Sequence, residues 1–577
     1  MIETEVLVIG CGPSGLTAAL SLSQLGVKVL AITKHKSLSP TPRAHFTNQR
    51  TFEILRDHGL ESRALQIATP YSKMPDILFM RSLVGEEFAR VRELGTSYAD
   101  DSVSPCIIAD LAQDQLEPLL LDAATKMGAL VRFSTELLSF EQNDDGVIAT
   151  VLDRISGEHL VVKARFMIGA DGGKSLVASQ LELPFEGPGE IGGSINLLFR
   201  ADLSSYVEYR PGMLYFLIRT PDDPEGPGLA ILRCTKPWTE WILIQGLAVG
   251  QEPPASSSQE NIGAIRNYLG VPNLPVTLLG TDPWRMNTLY ATSYHRGRVF
   301  CIGDAVHRHV PASGLGSNTG IQDAYNLSWK LHLVLRGKAG PDLLATYDDE
   351  RVPVGRQVAK RALKSMEGYG PLLEGIGVLG TNAGPTGPEW STILSSDTQD
   401  GKAHRAALNK SIAAIKYEFR GRGVELNRMY VSSAIIPDGT PIPASMPDAE
   451  LFYNPSTRPG AYLPHAWVQR HGQNVSTLDL VGKGSFTIIT GIGGESWLKA
   501  ADAASARWDI VLNTIVIGPG CDVTDLYLEW TSRREIDEDG CLLVRPDGHV
   551  ACRFVTCSGL TVEDALTSAF GTILGKH

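Results

Sequence analysis

The sequence predicts an α/β protein: a parallel sheet wound by helices, interrupted by a strand-rich insertion and followed by a second, smaller αβ unit. Three observations carry this. The first forty residues read strand, glycine turn, helix, strand; two later strands run into Asp-Gly or Gly-Asp; and four apolar strand-like runs fill the space between those two motifs.

The elements follow in chain order. Val6-Leu7-Val8-Ile9 is a short apolar run of the kind found in strands buried on both faces. It meets Gly10-Cys11-Gly12-Pro13-Ser14-Gly15, then Leu16, Ala19, Leu20, Leu22 and Leu25 at helical spacing, a stop at Gly26, and the strand-like Val27 to Ile32. In this frame G-x-G-x-x-G reads as a Rossmann-like dinucleotide site. Gly10 makes the tight turn, Gly12 lets backbone N–H groups approach a pyrophosphate, and Gly15 lets helix and strand pack closely. Pro13 and Ser14 complete the turn. The acidic residue that ends the second strand in most such sites is missing, and Thr33-Lys34-His35-Lys36 stands there instead. Lys34 is therefore a candidate cofactor contact, and the glycine motif alone leaves FAD and NADP both open.

Phe166-Met167-Ile168 leads into Gly169-Ala170-Asp171-Gly172-Gly173-Lys174-Ser175, and Val299-Phe300-Cys301-Ile302 into Gly303-Asp304-Ala305. The latter continues through Pro311, Gly314, Gly316, Ser317, Asn318 and Gly320 into an amphipathic helix. A carboxylate at a strand end beside an open helix N-terminus suits a flavin. Asp304 accepts from a ribityl hydroxyl, and the helix start faces the ring edge that becomes negative on reduction. Between the two motifs lie Ile195 to Arg200, Met213 to Ile218, Leu229 to Leu232 and Trp241 to Ile244, read as strands. A Gly/Pro-rich stretch follows from Gly375 to Pro388, then helical sequence to about residue 420 and a turn-rich connection. Near residue 460 the αβ unit begins; Phe486 to Thr490 is a strand followed by Gly491-Ile492-Gly493-Gly494, where a thioredoxin has its cysteine pair.

Composition narrows the partners. With 577 residues the chain has room for three to four domains, and 43% hydrophobic with 20% charged residues is the balance of a folded globular protein. Its net charge of −12 argues against nucleic acid and anionic membranes. Val6 to Val27 lacks charge over a span-like length, but its glycines and Pro13 interrupt it, and Glu3 and Glu5 stand where a signal peptide is basic. Eight scattered cysteines without C-x-x-C read as reduced thiols of a cytoplasmic protein. His307 and His309 form an H-x-H, but two ligands are too few for a metal, and no metal site is expected.

The three motifs in this order resemble the single-component FAD-dependent aromatic hydroxylases, the class of p-hydroxybenzoate and phenol hydroxylases. The likeness extends to Thr41-Pro42-Arg43-Ala44-His45, Thr47-Asn48-Gln49-Arg50-Thr51-Phe52-Glu53 and Gly303-Asp304-Ala305-Val306-His307-Arg308-His309, and is strongest to the phenol- and dichlorophenol-hydroxylating members. The resemblance implies a Rossmann-like FAD-binding domain (1–180 and 281–370), an interleaved mixed β-sheet substrate domain (181–280) and a helical linker (371–455). It further implies a thioredoxin-like C-terminal domain without CxxC (456–577), used for homodimerisation. It implies FAD, NADPH or NADH as reductant, O2, and a phenolic or other aromatic substrate hydroxylated, ortho to its hydroxyl, through a flavin C4a-hydroperoxide. Arg43 and Gln113 become FAD contacts by the same likeness. His45 falls where phenol hydroxylases carry a substrate-facing aspartate and becomes the candidate base. Arg285 and Tyr290, polar groups just before the Gly-Asp strand, are the further catalytic candidates. Epoxidation or Baeyer–Villiger insertion on a polycyclic substrate is the alternative on this scaffold. A flavoprotein reductase is more remote, because Cys11 lacks a partner cysteine.

Overall fold

The computed structural model describes residues 1–92, 103–219, 228–253, 256–371, 392, 395–441 and 448–576. The Gly/Pro-rich stretch from Gly375 to Pro388 lies outside the described residues.

The first sheet holds the strand order His295–Arg296, Val299–Cys301, His159–Gly169, Ile2–Ile9, Val29–Ile32, Leu130–Arg132, with an antiparallel hairpin (Thr135–Gln142 and Val147–Asp153) attached to the 159–169 strand. Its central strands run parallel and are fully apolar at their ends, as burial on both faces requires. Register decides the function of this sheet: Ile9 is level with Ile32 on one side and Gly169 on the other, and Gly169 is level with Cys301. Four strands therefore end together, and the three motifs emerge from three of them at one carboxyl edge, where ligands bind in open α/β sheets.

Helices cover this sheet. Helix α1 (Pro13–Gln24) starts at the first glycine turn, α2 (Gln49–Asp57) follows the 44–48 loop, and α3 (Gln113–Lys126) packs against α1. Helix α4 (Gly316–Leu335) follows the Gly-Asp turn, and α5 (Asp342–Glu367) lies on it.

The second sheet is an eight-stranded layer in the order His307–Arg308, Thr277–Ala291, Phe185–Arg200, Glu240–Leu247, Gly228–Lys236, Gly212–Arg219, Asp76–Met80, Glu87–Val91. The four strand-like runs of the insertion all lie in it. It also recruits Asp76–Met80 and Glu87–Val91 from before the insertion, and its Thr277–Ala291 strand runs across residue 280. The two-residue strand His307–Arg308 pairs with Leu289 and Tyr290, so the Gly-Asp turn is joined to the second sheet two residues after it ends. A further helix, α6 (Gln399–Phe419), packs against α5.

Residues 467–573 form the C-terminal αβ unit. Its main sheet, ordered Leu512–Val516, Phe486–Thr490, Cys541–Val544, Val550–Phe554, carries helices α7 (Glu495–Trp508) and α8 (Val562–Ile573). Trp329 and Leu333 of α4 share its hydrophobic core with Phe486, Trp497 and Phe570. Among the described residues no helix is long and apolar enough to cross a membrane, all eight cysteines are free thiols, and no cluster of metal-ligating side chains occurs.

Candidate functional site

The glycines of the first motif answer to different constraints. Gly10 has φ +111°, and a Cβ there would stand 2.1 Å from the Ala170 carbonyl oxygen of the Asp-Gly motif. A Cβ on Gly15 would meet the Gly10 oxygen at 2.1 Å. Gly12 is different: its Cβ direction is open, with Glu117 Oε1 at 4.0 Å the nearest atom. It is also the N-cap of α1, with extended backbone, Pro13 in the first turn and no capping side chain. That leaves free N–H donors and the positive end of the helix facing a space that only a glycine keeps open, the form of a pyrophosphate cradle.

The Gly-Asp motif closes against it. A Cβ on Gly303 would meet Ser14 Oγ at 2.6 Å and one on Gly320 would meet it at 2.2 Å, so Ser14 is clasped between the Gly-Asp turn and α4. The Gly303 N–H donates to Asp323, a fully buried carboxylate that also meets His307 Nε2 at 2.7 Å and Arg351 Nε at 2.7 Å. Burial alone would raise Asp323, but Arg351, His307 and the Gly303 N–H outweigh it and hold the carboxyl at about 2. This ion cluster fixes the turn, and it accounts for His307 without a metal. Asp304 itself is exposed, and no hydrogen bond from a described residue reaches its carboxylate. It does not cap α4, whose N-cap is Leu315, again without a capping side chain. Two uncapped helix starts, an open glycine cradle and an unspent carboxylate at one sheet edge fit the pyrophosphate, ribityl chain and ring of FAD.

Other candidates have visible partners. Asp171 accepts from Ser175 Oγ at 2.6 Å and the Val177 N–H at 3.1 Å, so its side chain braces its own loop against the first turn. Lys34 is exposed at the end of its strand. Gln113 opens α3, donates its side-chain amide to Glu117 at 2.6 Å and its backbone N–H to Ala44 at 2.7 Å. Arg43 is exposed and forks onto Asp282 at 3.0 and 3.2 Å. Pro311 precedes the turn that carries Gly314 (φ +62°), where a Cβ would stand 2.8 Å from Phe46; Gly316 and Ser317 open α4. Asn318 spends its whole side chain on the protein. Its amide donates to Phe46 O (2.8 Å) and Gly314 O (2.7 Å), and its oxygen accepts from the Asn48 N–H (3.1 Å) and Thr51 Oγ1 (2.6 Å). It is the tie that brings the 45–48 loop onto the flavin-type turn.

That loop carries His45. Phe46 pairs with Asp110 in a small antiparallel sheet, and His45 O accepts from the Leu111 N–H at 3.0 Å. His45 Nδ1 lies 2.8 Å from Asp110 Oδ2, with Tyr71 Oη 3.4 Å from the same nitrogen. Arg233 Nη2 is 3.7 Å from the other Asp110 oxygen, while its Nη1 donates to Pro42 O and Arg43 O at 2.6 and 3.2 Å. Side-chain exposure is 3% for Asp110 and 2% for Arg233, against 19% for His45. An acceptor on Nδ1 puts the proton there and leaves the lone pair on Nε2, the arrangement a general base needs. Burial and then the Arg233 charge lower His45 from its usual value, Asp110 opposing them, so the ring is neutral at pH 7. Phe46 stacks on Tyr71 at 5.6 Å, an aromatic wall beside the base.

Arg285 and Tyr290 do not join this group. Arg285 pairs with Glu190 (3.1 Å) and Glu252 (2.7 Å), and the Tyr290 hydroxyl donates to Glu186 (3.0 Å). The residues that do join it, Asp110, Tyr71 and Arg233, are not among the sequence candidates. Arg233 had a signal, a charge inside the apolar run Leu229 to Cys234, because a charge placed in a buried strand demands a partner. Asp110 and Tyr71 had none, since both meet His45 only through the pairing of distant short strands.

Comparison with known proteins agrees with this geometry. Residues 3–362 match the FAD binding domain family, and residues 456–576 the aromatic-ring hydroxylase C-terminal family. The chain is 44% identical to 2,4-dichlorophenol 6-monooxygenase of Delftia acidovorans, over 100% of this chain and 99% of that protein. It is 42% identical to phenol 2-monooxygenase of Pseudomonas sp. (strain EST1001), over 100% and 93%. Among solved structures, the flavin-dependent monooxygenase PieE in complex with FAD and substrate superposes with a TM-score of 0.94 at 38% identity, covering 100% of both chains.

Proposed function

The chain belongs to the FAD-dependent aromatic-ring hydroxylases, and from that premise we propose that it hydroxylates a phenol ortho to its hydroxyl group, with His45 as the base that ionises the substrate. Bound at the carboxyl edge of the first sheet, FAD would supply the redox chemistry that couples NAD(P)H and O2 to oxygenation of the ring.

The chain's own part is binding, orientation and proton handling. The open face of Gly12 and the start of α1 would hold the pyrophosphate, and Asp304 would accept from the ribityl hydroxyls. The uncapped start of α4 would stabilise negative charge on the ring when it is reduced. The phenol's proton moves to His45 Nε2, because a free phenol, with a pKa near 10, supplies little phenolate at pH 7. Asp110 holds the Nδ1–H and stabilises the imidazolium that forms. Arg233 keeps Asp110 and the 42–45 loop in register with it. The Phe46 and Tyr71 rings support an aromatic substrate and exclude water.

The observation that carries this reading is the buried carboxylate 2.8 Å from His45 Nδ1 on a loop tied to the Gly-Asp turn. The reading includes a cytoplasmic location, supported by eight free thiols, and a homodimer, which light scattering checks. The central test is NAD(P)H oxidation by purified protein against phenol, chlorophenols and polycyclic phenols, with product identification. Catechol formation coupled to NAD(P)H use is the expected result. Epoxide or lactone products, or NAD(P)H oxidation that no phenol stimulates, would replace this reading with another flavin reaction.

A further inference from the structure

Ser313, in the turn that leads into α4, is a non-glycine residue with a left-handed backbone: its φ is +64°, followed by Gly314 at +62°. A side chain at such a φ costs free energy and persists only where its surroundings over-determine the conformation. Two neighbours do so here. The Ser313 N–H donates to Glu418 Oε1 at 3.2 Å, and Ser313 Oγ lies 2.9 Å from Ser365 Oγ in the last turn of α5. Glu418 stands in the last turn of α6, a helix whose Leu408, Ile415 and Phe419 belong to the core of the second sheet. Its other oxygen accepts from the Tyr369 hydroxyl, and the Tyr369 ring stacks on Phe216 of that sheet at 5.3 Å.

Packing alone does not call for an acid at this place. Glu418 is 8% exposed, and among the described residues no cation pairs with it; the nearby Arg361 is spent on Glu450 and on the carbonyls of Tyr417 and Arg420. A buried carboxyl without a cation is costly, and an apolar side chain would fill the space at lower cost if nothing needed the oxygen. The turn it holds touches both halves of the site: it leads into the start of α4, and Gly314 lies against Phe46, next to His45. We propose that Glu418 is a positioning residue for the hydroxylation: by holding Ser313 left-handed it fixes the turn before α4 against Phe46 and His45, and through α6 and Tyr369 it ties that turn to the second sheet. Either protonation state serves, because the Ser313 N–H needs only an acceptor on Oε1, while a proton on Oε2 reverses the bond with Tyr369. The role in hydroxylation rests on FAD binding at this edge; the hold on the turn does not.

Amide hydrogen exchange of the flavin-free full chain reads the hold, and FAD dissociation constants with hydrogen peroxide formed per NAD(P)H read its consequence. Glu418→Leu removes the acceptor at similar volume. Glu418→Gln keeps an oxygen for Ser313 and offers an N–H to Tyr369, and Ser313→Gly lets the turn take its φ without help. Peptides covering residues 311–316 should exchange faster in Glu418→Leu and as the parent does in Glu418→Gln, with exchange in the sheet cores unchanged. FAD affinity should fall about 3- to 10-fold in Glu418→Leu, the worth of one hydrogen bond, and peroxide per NAD(P)H should rise. Adding Ser313→Gly to Glu418→Leu should restore most of both losses, which a residue that only packs α6 would not allow. Should Glu418→Leu fail to fold, Glu418→Ala is read in the same way. Parent-like exchange of the turn in Glu418→Leu overturns the proposal, as do unchanged FAD affinity and peroxide yield or losses that Ser313→Gly leaves in place. A parent protein that binds no FAD, with the turn still exchanging faster in Glu418→Leu, would overturn the cofactor site and the positioning role with it, while the hold on Ser313 stands.

Discussion

Gly10 and Gly12 stand two residues apart and fail in different ways when a side chain is added. At Gly10 the positive φ and the 2.1 Å approach of Ala170 O make any Cβ a strain on the fold. Gly10→Ala should therefore cost roughly 1–3 kcal/mol or more, read as a lower melting temperature with or without flavin. At Gly12 the backbone is extended and the Cβ direction open, so Gly12→Val should melt as the parent does yet purify without the flavin absorbance. A yellow Gly12→Val protein with one FAD per chain would remove the cradle from the site. His45 makes a second residue-scale prediction. Its lowered pKa means that the neutral, base-competent ring is lost only as pH falls below the usual 6.5, so activity should plateau at neutral pH and decline on the acid side. His45→Ala should lower hydroxylation about 10²–10⁴-fold, raise hydrogen peroxide formed per NAD(P)H, and recover in part as pH approaches the phenol's own pKa. Asp110→Asn should approach the same phenotype, because an amide that donates to Nδ1 moves the ring proton to Nε2. Normal coupling in both variants, with a normal pH profile, would end the base assignment.

Helix α4 works at both ends. Its first residues pack beside the Gly-Asp turn, while Asn326, Trp329 and Lys330, about three to four turns later, face the C-terminal unit. Lys330 and Arg545 both grip Glu350, at 2.8 Å and 2.6 Å, with Asp547 closing the network on Arg545; Lys330, Glu350 and Arg545 are fully buried. Burial pushes Lys330 down to about 8 despite Glu350. On the neighbouring α2, Arg50 stacks on Tyr462 at 3.9 Å and donates to Asp547 O. The run Leu543 to Val550 is thus a plug that seats between α2, α4 and α5. Removing one member leaves the others buried without their partner, so Arg545→Met should destabilise by about 3–5 kcal/mol, seen as an early melting transition. Wild-type melting in that variant would mean that water reaches the network and screens it.

Across the whole molecule, two buried glutamates sit where the 395–430 segment packs on the rest of the chain. Glu418 of α6 accepts from the Ser313 N–H in the turn before α4 and from Tyr369, and burial raises it to about 7. Glu425 lines a small cavity with Arg428 and His549, between this segment and the C-terminal unit, and burial raises it to about 8. Both titrate near 4.5 when unfolded, so the folded state holds more protons; their stabilisation is complete below about 4.5 and is lost as pH climbs toward 7 and 8. The double change Glu418→Gln with Glu425→Gln should flatten the fall of melting temperature over that window, and an unaltered slope would show that neither group is protonated in the fold. The sequence alone determined the parallel sheet, its three motifs and their ligand, because glycine turns, strand ends and helix starts are local events that short-range backbone sterics dictate. It also determined the four strands of the insertion, which read from apolar runs. The flavin motifs needed only the register of adjacent parallel strands to meet. The neighbours of His45 were decided by tertiary structure: Asp110 and Tyr71 reach it across separate short strands, and Arg233 from another sheet. Arg285 and Tyr290, close in sequence to the Gly-Asp strand, are drawn instead to Glu190, Glu252 and Glu186. Charge pairing in a folded core is settled by which side chains become neighbours and lose water together, and sequence distance carries no record of that.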